Sequence, residues 1–289
     1  MSGAAGPAVV AALGEDVDRL LAAEPKVRAD ESDSVHQMRV ATRRLRSVLR
    51  SYRTVFHRDE IDAIRAELRW LAGLLGVARD AEVRADRFAA LLDEYPDVQR
   101  HLGRRLVSAE RAAYTDAHRT VLRELDGERY VLLRARVVGL RTDPPLRRKR
   151  ARRDADRVFT AAVRADLRRL KARVDTERDV EEPDRVEALH DIRKAAKRLR
   201  YSAEAATDIL DGPAEDLARR AKKVQSVLGD HRDAIEALAT ITARAEIVRG
   251  HGADTAPYEL LCAAEVEAAR TALAQYPSLI EFLNYDYLS

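Results

Sequence analysis

Apolar residues recur three and four positions apart along nearly the whole chain, and no stretch shows the period-two alternation of a half-buried strand. The clearest case runs from Val35 to Tyr52, VHQMRVATRRLRSVLRSY. At about 100° per residue, Met38, Leu45, Leu49, Tyr52 and Phe56 fall on one face of that helix. The same pattern predicts helices over 8–23, 34–57, 59–76, 80–94 and 97–125, and a second series over 146–175, 184–211, 214–229, 231–249 and 256–275. Pro25, Pro96, Pro144, Pro145, Pro183, Pro213 and Pro257 punctuate these stretches, as a residue that cannot donate to a helix should. GERYVLLRARVVGLRTDPP, from Gly127 to Pro145, reads as a short helix and linker. The expected fold class is all-α.

The two helical series match in detail. His36, Arg39, Arg43, Arg44 and Arg46 recur as His190, Arg193, Lys197, Arg198 and Arg200, an offset of 154. Leu74, Leu75, Gly76, Arg79, Asp80 and Ala81 recur as Val227, Leu228, Gly229, Arg232, Asp233 and Ala234, an offset of 153. Two motifs in one order at nearly equal offsets argue for an internal duplication: a first repeat over 8–126, a linker over 127–145, a second repeat over 146–275 and a tail over 276–289, forming one domain. Gly76 and Gly229 are expected at left-handed helix C-caps, with Asp80 and Asp233 capping the helices that follow. Trp70 and Leu71 read as core; the tail, QYPSLIEFLNYDYLS, reads as core that closes a bundle, with contact to a partner as the alternative.

Charge changes this picture by its placement. The chain has 289 residues, 46% of them hydrophobic, enough for a large core, and 52 basic residues stand against 49 acidic ones. Positive surface must therefore come from segregation. The lone cysteine, Cys262, excludes an internal disulfide and a cysteine zinc site, fits a reducing cytoplasm and reads as a small core residue. The N-terminal segment lacks a basic stretch and its apolar run is broken by Glu15 and Asp16, so neither a signal peptide nor a membrane span is expected.

From Ser34 to Arg58 there is no acidic residue. His36, Arg39, Arg43, Arg46 and Arg50 share the helix face opposite Met38 and Leu45, and like charges three or four apart repel. Solvated faces usually interleave acids, so the compensating charge is expected from outside the segment. A second such helix in an equivalent place makes two walls, with His190, Arg193, Lys194, Lys197 and Arg200 facing the first set. Planar guanidinium groups suit phosphate oxygens. Arg44 and Arg198 lie off the centre of the stripe, with pairing to acids between helices as the alternative. Arg150, Arg153, Arg157, Arg164, Arg168 and Lys171 share a face of the 146–175 helix, balanced between a solvated face and a ligand role. Arg100, Arg104, Arg111 and Lys222 are weaker candidates of the same kind. The two histidines read as helix-start hydrogen-bonders or as phosphate donors that gain charge as pH falls; crowding by arginines disfavours a metal there.

The chain resembles the CHAD family, the conserved histidine α-helical domain, through H-x-x-R-V-x-x-R-R-L-R at His36 to Arg46, H-x-x-R-K-x-x-K-R-L-R-Y at His190 to Tyr201 and the two LG-x-x-RD segments, over roughly residues 8–275. The resemblance implies two helical bundles related by pseudo-twofold symmetry around a basic cavity that binds inorganic polyphosphate, often at granules. The E-x-E-x-K signature of the CYTH domain often fused to this family is absent, so a stand-alone copy is expected. The expected function is non-catalytic polyphosphate binding, with no cofactor, no metal and no membrane. Nucleic-acid backbone binding is the alternative, poorly served by aromatics at 5% of the chain. A metal-dependent phosphate-processing enzyme is the third reading, although the sequence offers no P-loop, paired carboxylates or metal-ligand cluster.

Overall fold

A computed structural model describes residues 3–98, 104–285 and 287, without the side chains of Arg104, Glu182 and Pro183. The helices are α1 (Ala5–Arg28), α2 (Ser34–Ser51), α3 (Arg58–Glu94), α4 (Pro96–Val98), α5 (Arg104–Asp126), α6 (Glu128–Thr142), α7 (Arg148–Ala151), α8 (Ala155–Glu177), α9 (Glu182–Glu204), α10 (Thr207–Gly250), α11 (Ala256–Ala274) and α12 (Tyr276–Leu279). α4, α7 and α12 are single turns, and no strand forms among the described residues. The all-α expectation holds. No helix among the described residues is long and apolar enough to cross a membrane.

Several boundaries differ from the pattern. Residues 59–76 and 80–94 form one helix, α3, and 214–229 and 231–249 form most of another, α10. Neither Gly76 nor Gly229 has a positive φ, so neither caps a helix, and Asp80 and Asp233 lie in helix interiors. The helix expected over 184–211 ends at Glu204; the chain resumes at Thr207 and bends at Asp211 (φ 47°, ψ −137°), just before Gly212 and Pro213. Proline has no N–H to give the preceding turn, which places the bend there. Pro25 instead lies inside the last turn of α1, where its carbonyl still accepts from Ala29 N at 3.0 Å. The helix expected over 146–175 is divided at Asp154, whose side chain accepts from Arg157 N (3.1 Å) and caps α8. Residues 127–145 hold a full helix, α6.

The order α1, α2, α3, α5 recurs as α8, α9, α10, α11. In each set the second helix packs on the first and third, and the third on the fourth. α2 also packs on α9, so the two arginine-rich helices form the middle of the molecule. Met38, Leu45, Leu49, Tyr52 and Phe56, read as one apolar face, are all fully buried. Tyr52 joins the two sets: its ring lies 4.5 Å from that of Phe159 on α8, and its hydroxyl donates to Ser202 O on α9 at 2.7 Å. Tyr276, Phe282 and Leu283 of the tail enter this same core. Leu71 is buried, Trp70 is half-buried beneath the Arg129 guanidinium (4.2 Å), and Cys262 is half-buried beside a second cluster.

That second cluster explains the length of α3 and α10. α3 contributes Ile61 to Ala78 to the main core and Phe88 and Leu92 to the distal cluster. α10 contributes Ala214 to Leu228 to the first and Ala237 to Ala245 to the second. Both helices must run through Gly76 and Gly229 to reach both clusters, and burying a further large apolar side chain is worth about 1.5–3 kcal/mol, more than a helical glycine costs. Between the clusters the apolar stripe of each helix narrows to alanines, Ala81 and Ala85 on α3 and Ala234 on α10, flanked by charged residues.

Candidate anion-binding site

At this level lies a cavity of ≈ 350 Å³, bounded by α2, α3, α9 and α10. His36, Arg39 and Arg43 of α2 meet His190, Arg193, Lys194 and Lys197 of α9 there, with Arg79, Arg84, Arg87, Arg232, Asp80, Asp233 and Glu236 supplied by the two long helices. Of the residues matched at offsets of 153 and 154, His36 and His190, Arg39 and Arg193, Arg43 and Lys197, Arg79 and Arg232, and Asp80 and Asp233 thus share one space.

The glycines act here. A Cβ on Gly76 would stand 3.6 Å from Arg39 Nε, and one on Gly229 only 3.3 Å from Arg193 Nε. Each motif arginine therefore packs against a helix backbone at a glycine; a side chain would crowd Arg193 at Gly229 and merely touch Arg39 at Gly76. Asp80 Oδ1 stands 3.5 Å from Arg39 Nη2, and burial lowers Arg193, partly opposed by the Asp233 carboxylate. The Arg-rich motif and the LG-x-x-RD segment are two parts of one contact, made once in each half.

The cations exceed their partners. Arg84 donates to Glu110 (2.9 Å), and Arg87 makes a bidentate pair with Glu265 at 2.5 to 3.0 Å. Arg43, Arg193 and Lys197 have no carboxylate within ion-pair distance among the described residues. His36 Nδ1, Arg39 Nε and Arg193 Nε are buried without a hydrogen-bond partner. Burial, then the charges of Arg43 and Arg193, pushes the Lys197 ammonium down to about 5, so the free amine predominates at neutral pH. Burial and then Arg39 lower Arg43 to about 10, which leaves it charged. His36 is lowered by burial and Arg79, and His190 by burial and Arg232, whose Nη1 donates to the imidazole of His190.

A second chamber of ≈ 180 Å³ adjoins the first, with Arg43, Lys194 and Lys197 lining both. It adds Arg46, Ser47 and Arg50 of α2, Arg65 and Arg69 of α3, and Arg198 and Tyr201 of α9. Every charged residue around it is basic. Burial and the charges of Arg69 and Arg65 lower Arg46; burial and then Arg169 lower Arg50.

Other candidates are placed differently. Arg44 borders neither chamber: it donates to the buried Asp16 (2.8 Å) and pairs with Glu204. Arg198 Nε lies 2.5 Å from the buried Asp166, so this pair binds α9 to α8 as Arg44 binds α2 to α1. Arg200 pairs with Glu204 (2.7 Å) and turns away from both chambers. Arg150, Arg153 and Arg157 rim a separate, alanine-floored cavity of ≈ 700 Å³ near the end of α2. Arg164 and Lys222 border neither chamber, and Arg111, Arg168 and Lys171 are exposed. Arg100 lies outside the described residues, as does the side chain of Arg104.

Sequence reading missed Arg65, Arg69, Arg84 and Arg87 as lining residues, because acids such as Asp62, Glu67, Asp80, Glu82 and Asp86 are interleaved with them along α3, as on a solvated helix. Arg79 and Arg232 carried a signal, the repeated LG-x-x-RD segment, which was assigned to architecture alone.

The CHAD domain family model matches residues 11–242. The uncharacterized proteins MT2285 and Rv2226 of two Mycobacterium tuberculosis strains (CDC 1551 / Oshkosh and ATCC 25618 / H37Rv) are each 36% identical over 275 residues, 94% of this chain. The chain spans about half of their length, 52%. PptA from Streptomyces chartreusis superposes with a TM-score of 0.79 at 21% identity, over 96% of this chain and 99% of that one. The CHAD domain from the plant Ricinus communis gives 0.73 at 20% identity, over 100% and 94%.

Proposed function

The chain belongs to the CHAD domain family, and we propose that it binds linear inorganic polyphosphate, without hydrolysing it, in the cavity between α2, α3, α9 and α10. The observation that carries this reading is a surplus of half-buried charge: Arg43 and Arg193 face one another beside the Lys197 amine in a space where Asp80 and Glu236 are already paired with Arg39 and Arg232. Desolvated like charges cost energy that only an incoming anion offsets. A chain of regularly spaced phosphates supplies charge to both walls at once and accepts from planar guanidinium groups. The family itself is linked to polyphosphate binding, and residence at polyphosphate granules would follow from the same contact.

Titration with polyphosphate of graded chain length tests this. Affinity is expected to rise with length and to fall steeply with salt, as counterion release requires. Replacing Arg39, Arg43, Arg193 and Lys197 together with alanine is expected to abolish binding and leave helicity intact. Absence of length-dependent binding at moderate ionic strength sinks the reading. Easy displacement by RNA or DNA would transfer the site to nucleic acid, and phosphate released in proportion to protein with Mg²⁺ or Mn²⁺ would make it an enzyme.

A further inference from the structure

The second chamber breaks the correspondence between the halves. Its first-half cations Arg46, Arg50, Arg65 and Arg69 correspond, at offsets of 154 and 153, to Arg200, Glu204, Ala218 and Lys222. An acid stands where Arg50 does, and an apolar residue where Arg65 does. The consequence is visible in the contacts: Glu204 accepts from Arg200 (2.7 Å) and pairs with Arg44, while Arg200 is further occupied by Gln225 Oε1. Arg46 and Arg50, by contrast, pair with no carboxylate among the described residues. One half closes its flank with a neutralised cluster; in the other, Arg65 pairs with Asp62 (2.5 Å) while Arg46, Arg50 and Arg69 line the chamber without a carboxylate partner among the described residues.

We propose that the anion path is one-ended: from the central cavity it passes the Arg43–Lys197 wall into the Arg46, Arg50, Arg65 and Arg69 chamber and leaves along α2 and α3, while Glu204 stops it at the equivalent place in the other half. The inference rests on the polyphosphate reading and adds a direction to it. A short phosphate ligand is held by the central cavity. A long chain gains the second chamber as well, and only on one side.

The test compares inorganic triphosphate with long-chain polyphosphate on the full chain. Arg50→Glu installs on α2 the residue that α9 carries at that place, and Arg69→Ala removes an exposed guanidinium from α3. Both positions are exposed, and circular dichroism checks that each variant retains its helicity. Long-chain affinity is expected to fall about tenfold more than triphosphate affinity in each, with a shallower salt dependence. Equal losses for both probes, or no loss for the long chain, overturn the second chamber. Glu204→Gln keeps the hydrogen-bonding shape and removes the charge, so it is expected to strengthen long-chain binding severalfold; unchanged affinity overturns the stop. If the wild-type protein binds neither probe, the polyphosphate reading itself fails, an outcome distinct from all of these.

Discussion

Lys197 occupies the position that Arg43 holds in the first half, and the exchange of guanidinium for amine makes this wall of the cavity titratable. The amine has a folded value of about 5 against an unfolded value of 10.5. Between these values the unfolded chain binds more protons, so Lys197 makes stability rise with pH through that window and fall on acidification. A phosphate chain beside the amine favours its charged form, so binding takes up a proton. Affinity is expected to strengthen as pH falls from about 8 to about 6, by up to tenfold per unit for one proton. The histidines act in the same direction, but they are held below their ordinary value of about 6.5 and contribute least near pH 8. Calorimetry in buffers of different ionisation heat measures the uptake directly. Lys197→Arg, which fixes the charge, should remove most of it near pH 7.5 and keep binding; uptake unchanged in that variant would refute the assignment. Arg44 makes the opposite case, a cation whose partner is internal. Asp16 is 1% exposed and bonds to both Arg44 and Arg19. Asp16→Ala leaves the half-buried Arg44 guanidinium with Glu204 as its one remaining carboxylate and should cost about 1–3 kcal/mol in denaturant unfolding.

At the level of helices, the two glycines show what periodicity reveals and what it hides. The apolar face of α2 was legible because residues such as Met38, Leu45 and Leu49 repeat at helical spacing and bury together. The continuity of α3 and α10 was not, because a glycine followed by a polar run has the same local form whether a helix ends there or passes a charged space. The decision belongs to the distal cluster of Phe88, Leu92, Ile241 and Leu261, which joins residues more than a hundred positions apart. Gly229 is retained in a helix interior, where alanine would be more stable by up to about 1 kcal/mol. Gly229→Ala should therefore keep or raise thermal stability while displacing Arg193, whose Nε would lie 3.3 Å from the new Cβ. Loss of one charge-assisted contact would weaken polyphosphate binding by up to about 1.5 kcal/mol, roughly tenfold. Gly76→Ala, with 3.6 Å available, should raise stability with little loss of affinity. Equal losses in both variants would show that the glycines serve something other than arginine clearance.

For the molecule as a whole, the site is a concentration of like charge that the fold sustains between two apolar clusters. The two sets of helices are held together by Tyr52 against Phe159 and Ser202 on one side of the cavity and by the Arg87–Glu265 pair on the other. These joints bring cations of both sets together although their mutual repulsion opposes it. Such a design predicts opposite effects of salt on the two states. Without ligand, added NaCl screens the repulsion and should raise the melting temperature. With polyphosphate, the same salt weakens the ligand and should shrink the thermal shift that binding provides. Arg43→Met and Arg193→Met sharpen the argument, because methionine keeps the aliphatic volume and discards the charge. The double variant should be as stable as the wild type or more stable, by about 1–3 kcal/mol, and its melting temperature should no longer respond to polyphosphate. A double variant that melts well below the wild type would show that these arginines hold the fold together, and that the charge in the cavity is compensated within the protein.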